Sequence, residues 1–298
     1  MPNYEHCLRP VFTERIVQLL QCGRSVNLIG AEGTGRERLL DDIRTCELPE
    51  TTIISVNLKS YQENYDGLMR EIWVQTGKTG EQAQNLSALI EQCEHRNGQI
   101  FLLLYNFDAL LGDPHIDSRY DVAFYDALNA CKNRANIALL CVTEQPHDQS
   151  MVFVNGKAHS NSWLDLERKA IPALTHEEIV LEVQRQPLAL MRSDQSALIN
   201  AVRTHTQPYK LLEYLRDKIL NREDGTLPFQ SRLKKWIKQF DKTENERLLS
   251  KKGIYNAAKE MTAWGELTGV NKLKTPFLLL GNLGKAIAEI LGKYTRKE

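Results

Sequence analysis

The sequence has no long apolar runs and no excess of charge of either sign. Its longest apolar runs, Ile100–Leu104 and Phe277–Leu280, are far shorter than the roughly 20 residues of a membrane helix. The N-terminus has no basic stretch followed by an apolar one, and it therefore predicts no secretory signal. A hydrophobic fraction of 42% with 26% charged residues indicates a globular chain. We expect a cytoplasmic protein that does not cross a membrane.

The cysteines also lack the close spacing that metal and redox motifs require. No two of the six lie two to four residues apart, as in a zinc knuckle or a redox pair: Cys7, Cys22, Cys46, Cys93, Cys131 and Cys141. His95 lies two residues from Cys93, but no second pair of metal-binding side chains accompanies it. The spacing predicts reduced thiols, mostly in the interior, and no metal site built from cysteine and histidine.

A balanced total charge conceals two oppositely charged parts. The chain has 298 residues with 38 basic and 38 acidic side chains. Residues 1–220 contain 22 basic and 29 acidic side chains, whereas residues 221–298 contain 16 and 9. This asymmetry suggests two modules with different partners, although the two parts could also attract each other or a neighbouring subunit. The turn-forming residues 221–228 mark the predicted boundary.

Strands and helices alternate in the first part of the chain. The apolar runs predict strands at Ser25–Ile29, Thr51–Leu58, Gln99–Leu104 and Asn136–Thr143, with helical patterns between them. This alternation predicts an α/β fold with a parallel sheet and helices on both faces. After about Thr175 the pattern is helical only.

A glycine loop, residues 30–37, lies between the first strand and the following helix. Its glycines, Gly30, Gly33 and Gly35, are spaced as in a phosphate-binding P-loop, which reads G-x-x-x-x-G-K-[ST]. Arg36 replaces the lysine and keeps its charge, but its planar group differs in shape from an ammonium. Glu37 replaces the hydroxyl residue, and its charge beside a triphosphate would cost on the order of 1–4 kcal/mol.

The loop therefore has two interpretations. It is a tight turn without a ligand, which the two replacements favour, or it binds a nucleotide with unusual ligands, since a carboxylate can hold Mg²⁺. In the second case the cofactor-binding residues are Gly30, Gly33, Thr34, Gly35, Arg36, Glu37 and Thr143. Thr143 ends a predicted strand, where a hydroxyl can contact a γ-phosphate or simply hydrogen-bond at the corner.

The strand that ends near Tyr105 lacks the carboxylates of P-loop enzymes. These enzymes place an aspartate for Mg²⁺, and often a glutamate for the attacking water, after such a strand. Tyr105 and Asn106 stand there instead. Asp108 is a candidate metal ligand from a shifted position, or it caps the following turn.

The order of motifs resembles the STAND branch of AAA+-type P-loop NTPases and origin-recognition-like ATPases. The matching segments are Phe12–Arg15, Gly30–Glu37, Leu102–Leu110, Thr143, Leu174–Glu178 and Thr206–Leu212. The resemblance implies a P-loop NTPase-like domain over residues 1–172 and a helical lid over 173–222. It also implies a small basic module over 223–298 that is mostly helical or a winged helix. The lysine, hydroxyl, aspartate and glutamate are all replaced, which predicts a pseudo-ATPase without catalytic residues.

The C-terminal part carries the candidate nucleic-acid-binding residues. Leu233, Trp236, Ile237 and Phe240 form one apolar helix face. The predicted DNA contacts are Arg232, Lys234, Lys235, Lys238, Lys242, Lys251 and Lys252. Such lysines bind phosphates with little sequence preference. A solvated helix face is the alternative.

These patterns predict an ATPase-like regulatory or adaptor subunit that has lost hydrolysis. It would bind a protein partner or oligomerise in a DNA-associated or defence-related assembly, and it would need no cofactor. One alternative is a molecular switch that binds ATP and Mg²⁺ through unusual ligands. A further alternative is a non-specific DNA-binding protein.

Overall fold

The computed structural model describes residues 2–94, 98–110, 116–145, 152–154, 157–159, 164, 166–186, 188–221 and 226–249. The chain divides into two compact units. The first comprises residues 1–31 and 35–172, and the second comprises residues 32–34 and the chain from residue 173 onward. Lys251 and Lys252, with all of the predicted basic module after residue 249, lie outside the described residues.

The first unit is built on a sheet of five parallel strands, which confirms the predicted parallel α/β fold. The strands are β1 (Val26–Ile29), β2 (Thr51–Asn57), β3 (Gln99–Tyr105), β4 (Ile137–Thr143) and β7 (Glu167–Ala170), in the order β2-β3-β4-β1-β7. Every neighbouring pair is parallel. The carboxyl ends of all five strands therefore lie along one edge of the sheet, where the glycine loop follows β1.

Helices cover both faces of this sheet. The strands between them are therefore apolar on both sides. On one face Phe101 and Leu103 pack in a core that includes side chains of α1 (Pro10–Gln21) and α2 (Arg36–Arg44). On the other face Leu102 and Leu104 pack in a core with α3 (Tyr65–Gln75), α4 (Leu86–Glu94) and α5 (Val122–Lys132). A strand that is buried on both faces reads as an apolar run without alternation.

Three strands were not predicted from the sequence. The strands β5 (Val152–Val154) and β6 (Lys157–His159) form an antiparallel pair, and β7 pairs with β1. The residues of β7 alternate between half-buried and exposed, and Arg168 and Lys169 interrupt any apolar run. An edge strand of this kind has one hydrogen-bonded neighbour and a solvated side, so its sequence carries little hydrophobic signal.

The described part of the second unit is helical. It contains α6 (His176–Arg185), α7 (Arg192–Arg203), α8 (Pro208–Leu220) and α9 (Phe229–Leu249). A capping box begins α6: the Thr175 hydroxyl accepts from the Glu178 N–H at 3.2 Å, and Glu178 accepts from the Thr175 N–H at 2.8 Å. Among the described helices, none is long and apolar enough to span a membrane.

Candidate functional site

The glycine loop turns the chain sharply from β1 into α2. In the first unit, the Gly30 N–H donates to the Thr143 carbonyl oxygen at 3.1 Å, which joins the loop to the end of β4. Gly35 precedes the first residue of α2 and has φ of +84°, in the left-handed region that favours glycine. The N–H groups at the start of α2 have no helical acceptor, so this turn can bind an anion.

Arg36 begins α2 with its side chain turned into the protein. It is only 8% exposed. Its Nη2 lies 3.5 Å from a carboxylate oxygen of Glu144, and its guanidinium carbon lies 5.8 Å from the centre of the Tyr105 ring. The Nη1 atom is buried, and it has no hydrogen-bond partner among the residues that the structure describes. Arg36 thus has one anionic and one aromatic neighbour, and one donor that an acceptor could still satisfy.

The two carboxylates beside the strand ends are already engaged. Glu144 follows β4 and pairs with Arg36, while its own N–H donates to Oδ2 of Asp108 at 3.1 Å. Asp108 therefore accepts a hydrogen bond from the backbone that follows β4. Glu37, in the first turn of α2, is exposed.

Neutral side chains occupy the remaining strand ends. Asn106 adopts φ of +51°, and its amide donates to Oδ1 of Asn57 at 2.9 Å. Thr143 is fully buried, and its hydroxyl lies 3.4 Å from Oδ1 of Asn27. Burial raises the pKa of Tyr105 although the charge of Arg36 acts to lower it, so the phenol stays neutral at physiological pH.

These surroundings fit a phosphate group better than they fit magnesium. The glycine turn, the start of α2 and the buried Nη1 of Arg36 offer hydrogen-bond donors to an anion. Mg²⁺ requires oxygen ligands, and the P-loop hydroxyl and the strand-end carboxylates are replaced by Glu37, Tyr105 and Asn106. The nearby carboxylate of Glu144 pairs with the guanidinium of Arg36 instead of facing a metal site.

In the second unit, the tip of the glycine loop is bonded to the start of α8. The Gly33 carbonyl oxygen accepts from the N–H groups of Tyr209 at 3.1 Å and Lys210 at 3.4 Å. A Cβ at Gly33 would lie 2.6 Å from the Cβ of Gln207, and Gly33 has φ of +81°. Both the contact and the backbone conformation therefore require glycine here. Thr34 is half-buried beside it.

Glu32 joins this tip to two cations through an ion network. Nζ of Lys210 lies 2.6 Å from a Glu32 oxygen and 2.8 Å from a Glu244 oxygen. Arg247 contacts both carboxylates as well. Burial alone would raise the pKa of Glu32, but the hydrogen bond and charge of Lys210, together with Arg247, hold it below its ordinary value of 4.5. The carboxylate is thus stabilised in its charged form.

The lysines of α9 lie on the side opposite its buried residues. Phe229, Leu233, Trp236 and Phe240 are buried. Lys234, Lys235, Lys238 and Lys242 are exposed. At 3.6 residues per turn these four lysines fall within about 100° around the helix axis. Arg232 differs, because its guanidinium stacks on the rings of Phe229 and Trp236 at 5.6 and 5.4 Å.

The structure brings together some predicted site residues and adds others. Gly30 and Thr143 are hydrogen-bonded neighbours, and Glu144 links Arg36 to Asp108. Sequence reasoning missed Glu144, Glu32, Lys210 and Arg247. Glu144 follows a recognised strand end, Glu32 lies inside the glycine loop and Lys210 lies inside the Thr206–Leu212 motif, so position could have indicated all three. Arg247 carried no such signal.

Comparison with solved structures shows the fold. The structure of the Drosophila origin recognition complex (ORC) bound to DNA contains a similar chain, with 16% identity, a TM-score of 0.52, and coverage of 95% of this chain and 74% of that chain. A Walker-type ATPase of Pyrococcus abyssi has 11% identity, a TM-score of 0.51, and coverage of 79% and 73%. No protein-family model and no curated protein sequence matches. The chain has the α/β fold of AAA+-type P-loop NTPases.

The ion network predicts a measurable coupling between Glu32 and Lys210. In a double-mutant cycle of Glu32→Gln and Lys210→Met, we expect a coupling of about 0.5–1 kcal/mol in the free energy of unfolding, because both side chains are partly exposed. Because folding lowers the pKa of Glu32, this stabilisation is complete above pH 4.5 and is lost as the pH falls through the lowered value.

Chemical denaturation at several pH values measures this coupling. Lys218→Met is the matched control, because Lys218 lies on the same helix and faces the Tyr214 ring. Its cycle with Glu32→Gln should show no coupling. Equal coupling for both lysines, or a coupling for Lys210 that grows as the pH falls below 4.5, would contradict the network.

Proposed function

We propose that this chain is an ATPase-like regulatory or adaptor subunit that has lost ATP hydrolysis and works within a DNA-associated assembly. It is a pseudo-ATPase of the STAND or origin-recognition type: the fold holds partners together, and no chemical step takes place in it. The same adaptor could instead belong to a defence-related assembly. It acts through a protein partner or a second copy of itself.

The observation that carries the proposal is the environment of Arg36. Hydrolysis by a P-loop enzyme needs Mg²⁺ between the phosphates and a strand-end carboxylate. Here the guanidinium has both Glu144 and the Tyr105 ring as neighbours, so fixed protein groups already balance its charge. A divalent cation near this guanidinium would meet electrostatic repulsion, and the neutral Tyr105 and Asn106 would offer it little compensation.

Nucleotide binding without hydrolysis is a second candidate function, and one atom favours it. Leaving a buried donor without an acceptor costs about 1–3 kcal/mol. The Nη1 atom of Arg36 is such a donor. A phosphate oxygen would satisfy it, with the backbone N–H groups of the glycine loop as further donors. In this form the chain is an ATP-binding switch in which Arg36 replaces the P-loop lysine.

DNA association rests on α9 and on the solved neighbour. The similar chain of Drosophila ORC was determined in a complex bound to DNA. In this chain, four lysines point to one side of α9 while its opposite side is buried. Clustered lysines neutralise backbone phosphates and release counterions, and this binding needs no base contacts. The surface is suited to non-specific binding of a duplex.

The loss of hydrolysis predicts that ATP turnover does not depend on Arg36. With saturating ATP and Mg²⁺, the full chain and Arg36→Ala should both release phosphate at the rate of the protein-free control. Arg70→Ala, an exposed arginine on α3, is the matched control. Magnesium-dependent turnover that persists in Arg70→Ala and disappears in a folded Arg36→Ala protein would overturn the proposal.

The lysine face predicts DNA binding that weakens steeply with salt. Four phosphate contacts give a slope of log K against log salt of about −3.6, and further contacts make it steeper. Lys234→Ala and Lys238→Ala should each reduce that slope by about 0.9. Lys59→Ala, an exposed lysine of the first unit, should leave it unchanged. Fluorescence anisotropy with a labelled duplex measures the slope, and a flat response would reject DNA binding.

A further inference from the structure

A second group of reactive side chains lies outside the glycine loop. Among the residues that the structure describes, His6, Cys7 and Cys46 form the one group of metal-ligating side chains whose ligand atoms all lie within 4.8 Å of one another. Cys7 is fully buried, Cys46 is 5% exposed and His6 is half-buried. Nearly 40 positions separate Cys7 from Cys46, so a search for closely spaced ligands passes over them.

Hydrogen bonds to α2 fix the segment that carries His6 and Cys7. The guanidinium of Arg38 donates to the His6 carbonyl oxygen at 3.0 Å and to Oδ1 of Asp42 at 2.7 Å. The Leu8 N–H donates to the other oxygen of Asp42, also at 2.7 Å. Cys46 lies two residues beyond the end of the same helix. These contacts hold the three side chains together before any ligand binds, as outer-shell partners do in metal sites.

The distance between the ligand atoms of His6 and Cys7 matches that of a tetrahedral zinc site. Nε2 of His6 lies 3.6 Å from Sγ of Cys7. Zn–S and Zn–N bonds of about 2.3 and 2.0–2.1 Å at a tetrahedral angle place sulfur and nitrogen about 3.6 Å apart. Hydrogen bonding alone does not require this separation, since the Nε2 atom has a better partner in the Thr45 hydroxyl at 2.9 Å.

We propose that His6, Cys7 and Cys46 bind a Zn²⁺ ion through one imidazole nitrogen and two thiolates. Two thiolates and an imidazole form a donor set that suits zinc and disfavours Mg²⁺ and Ca²⁺. Binding releases the two thiol protons and leaves the imidazole neutral, so one Zn²⁺ is exchanged for two protons. The fourth ligand is a water molecule.

Oxygen atoms beside the cluster can receive this water. The Asp42 carbonyl oxygen lies 3.2 Å from Sγ of Cys46 and 3.4 Å from Nε2 of His6. The Thr45 hydroxyl, which also bonds to this carbonyl at 3.0 Å, lies beside the same nitrogen. Since Cys46 donates to the Asp42 carbonyl in its thiol form, loss of that proton frees an acceptor for the zinc-bound water.

The ion would tie the N-terminal segment to the far end of the helix that begins at Arg36. A crosslink from residues 6–7 to residue 46 restricts the unfolded chain over about 40 residues, as a disulfide would. A ligand that binds only the folded state also stabilises it, and the stabilisation grows with the logarithm of the free ligand concentration above its Kd. We therefore expect zinc to raise the melting temperature by several degrees.

Metal titration of the full chain tests the proposal. The protein is reduced with a phosphine, stripped with a chelator and titrated with Zn²⁺ against a chromophoric competitor, and Co²⁺ serves as a spectroscopic substitute. We expect one ion per chain and a thiolate-to-cobalt charge-transfer band with the intense d–d bands of four-coordinate cobalt. In Cys46→Ser and His6→Gln, affinity should fall by about 100-fold or more, since each variant removes a ligand.

A matched cysteine variant separates this site from general thiol chemistry. Cys22 is exposed and lies outside the cluster, so Cys22→Ser should bind zinc like the wild type. If Cys46→Ser fails to fold, the half-buried His6→Gln carries the test. Equal affinity in wild type and His6→Gln, absence of the thiolate band, or a Cys7–Cys46 disulfide without zinc uptake after reduction would overturn the proposal.

Discussion

The charge of one buried guanidinium dominates the candidate site. Arg36 is 8% exposed at the first position of α2, where the helix N-terminus already carries partial positive charge. A buried ion costs several kcal/mol unless it is paired and hydrogen-bonded. Glu144 and the Tyr105 ring provide that compensation, and Asp108 in turn holds the Glu144 backbone. The residues at the ends of β3 and β4 are thereby organised around a cation of the protein itself.

Hydrogen bonds and ion pairs within each unit hold the residues of the glycine loop. Gly30 is tied to the end of β4 in the first unit. In the second, Gly33 caps the start of α8, and Glu32 is held by Lys210 and Arg247. Groups of the protein itself make all of these contacts. Glu32 is itself part of this loop. It therefore places a negative charge in the segment that surrounds phosphate in an active P-loop enzyme.

Much of the fold was predictable because strands buried on both faces leave long apolar runs. Leu102 and Leu103 face opposite cores, and both are apolar. Strand β7 was not predicted because Arg168 and Lys169 interrupt any apolar run. It pairs with β1 through the backbone. The sequence alone identifies Arg36 and Glu37 as replacements of the P-loop lysine and hydroxyl residue. The pairing of Arg36 with Glu144, however, depends on the tertiary structure. The same holds for His6 and Cys46, which α2 brings together.

Calorimetric titration of the full chain with a non-hydrolysable ATP analogue, with and without Mg²⁺, tests most directly whether protein groups have replaced the metal. Gly35→Trp serves as the variant that blocks the loop. If protein groups have replaced the metal, any heat of binding is the same with Mg²⁺ and with a chelator, since Arg36 rather than a metal would face the phosphates. Binding that requires Mg²⁺ in the wild type and is lost in Gly35→Trp would contradict it.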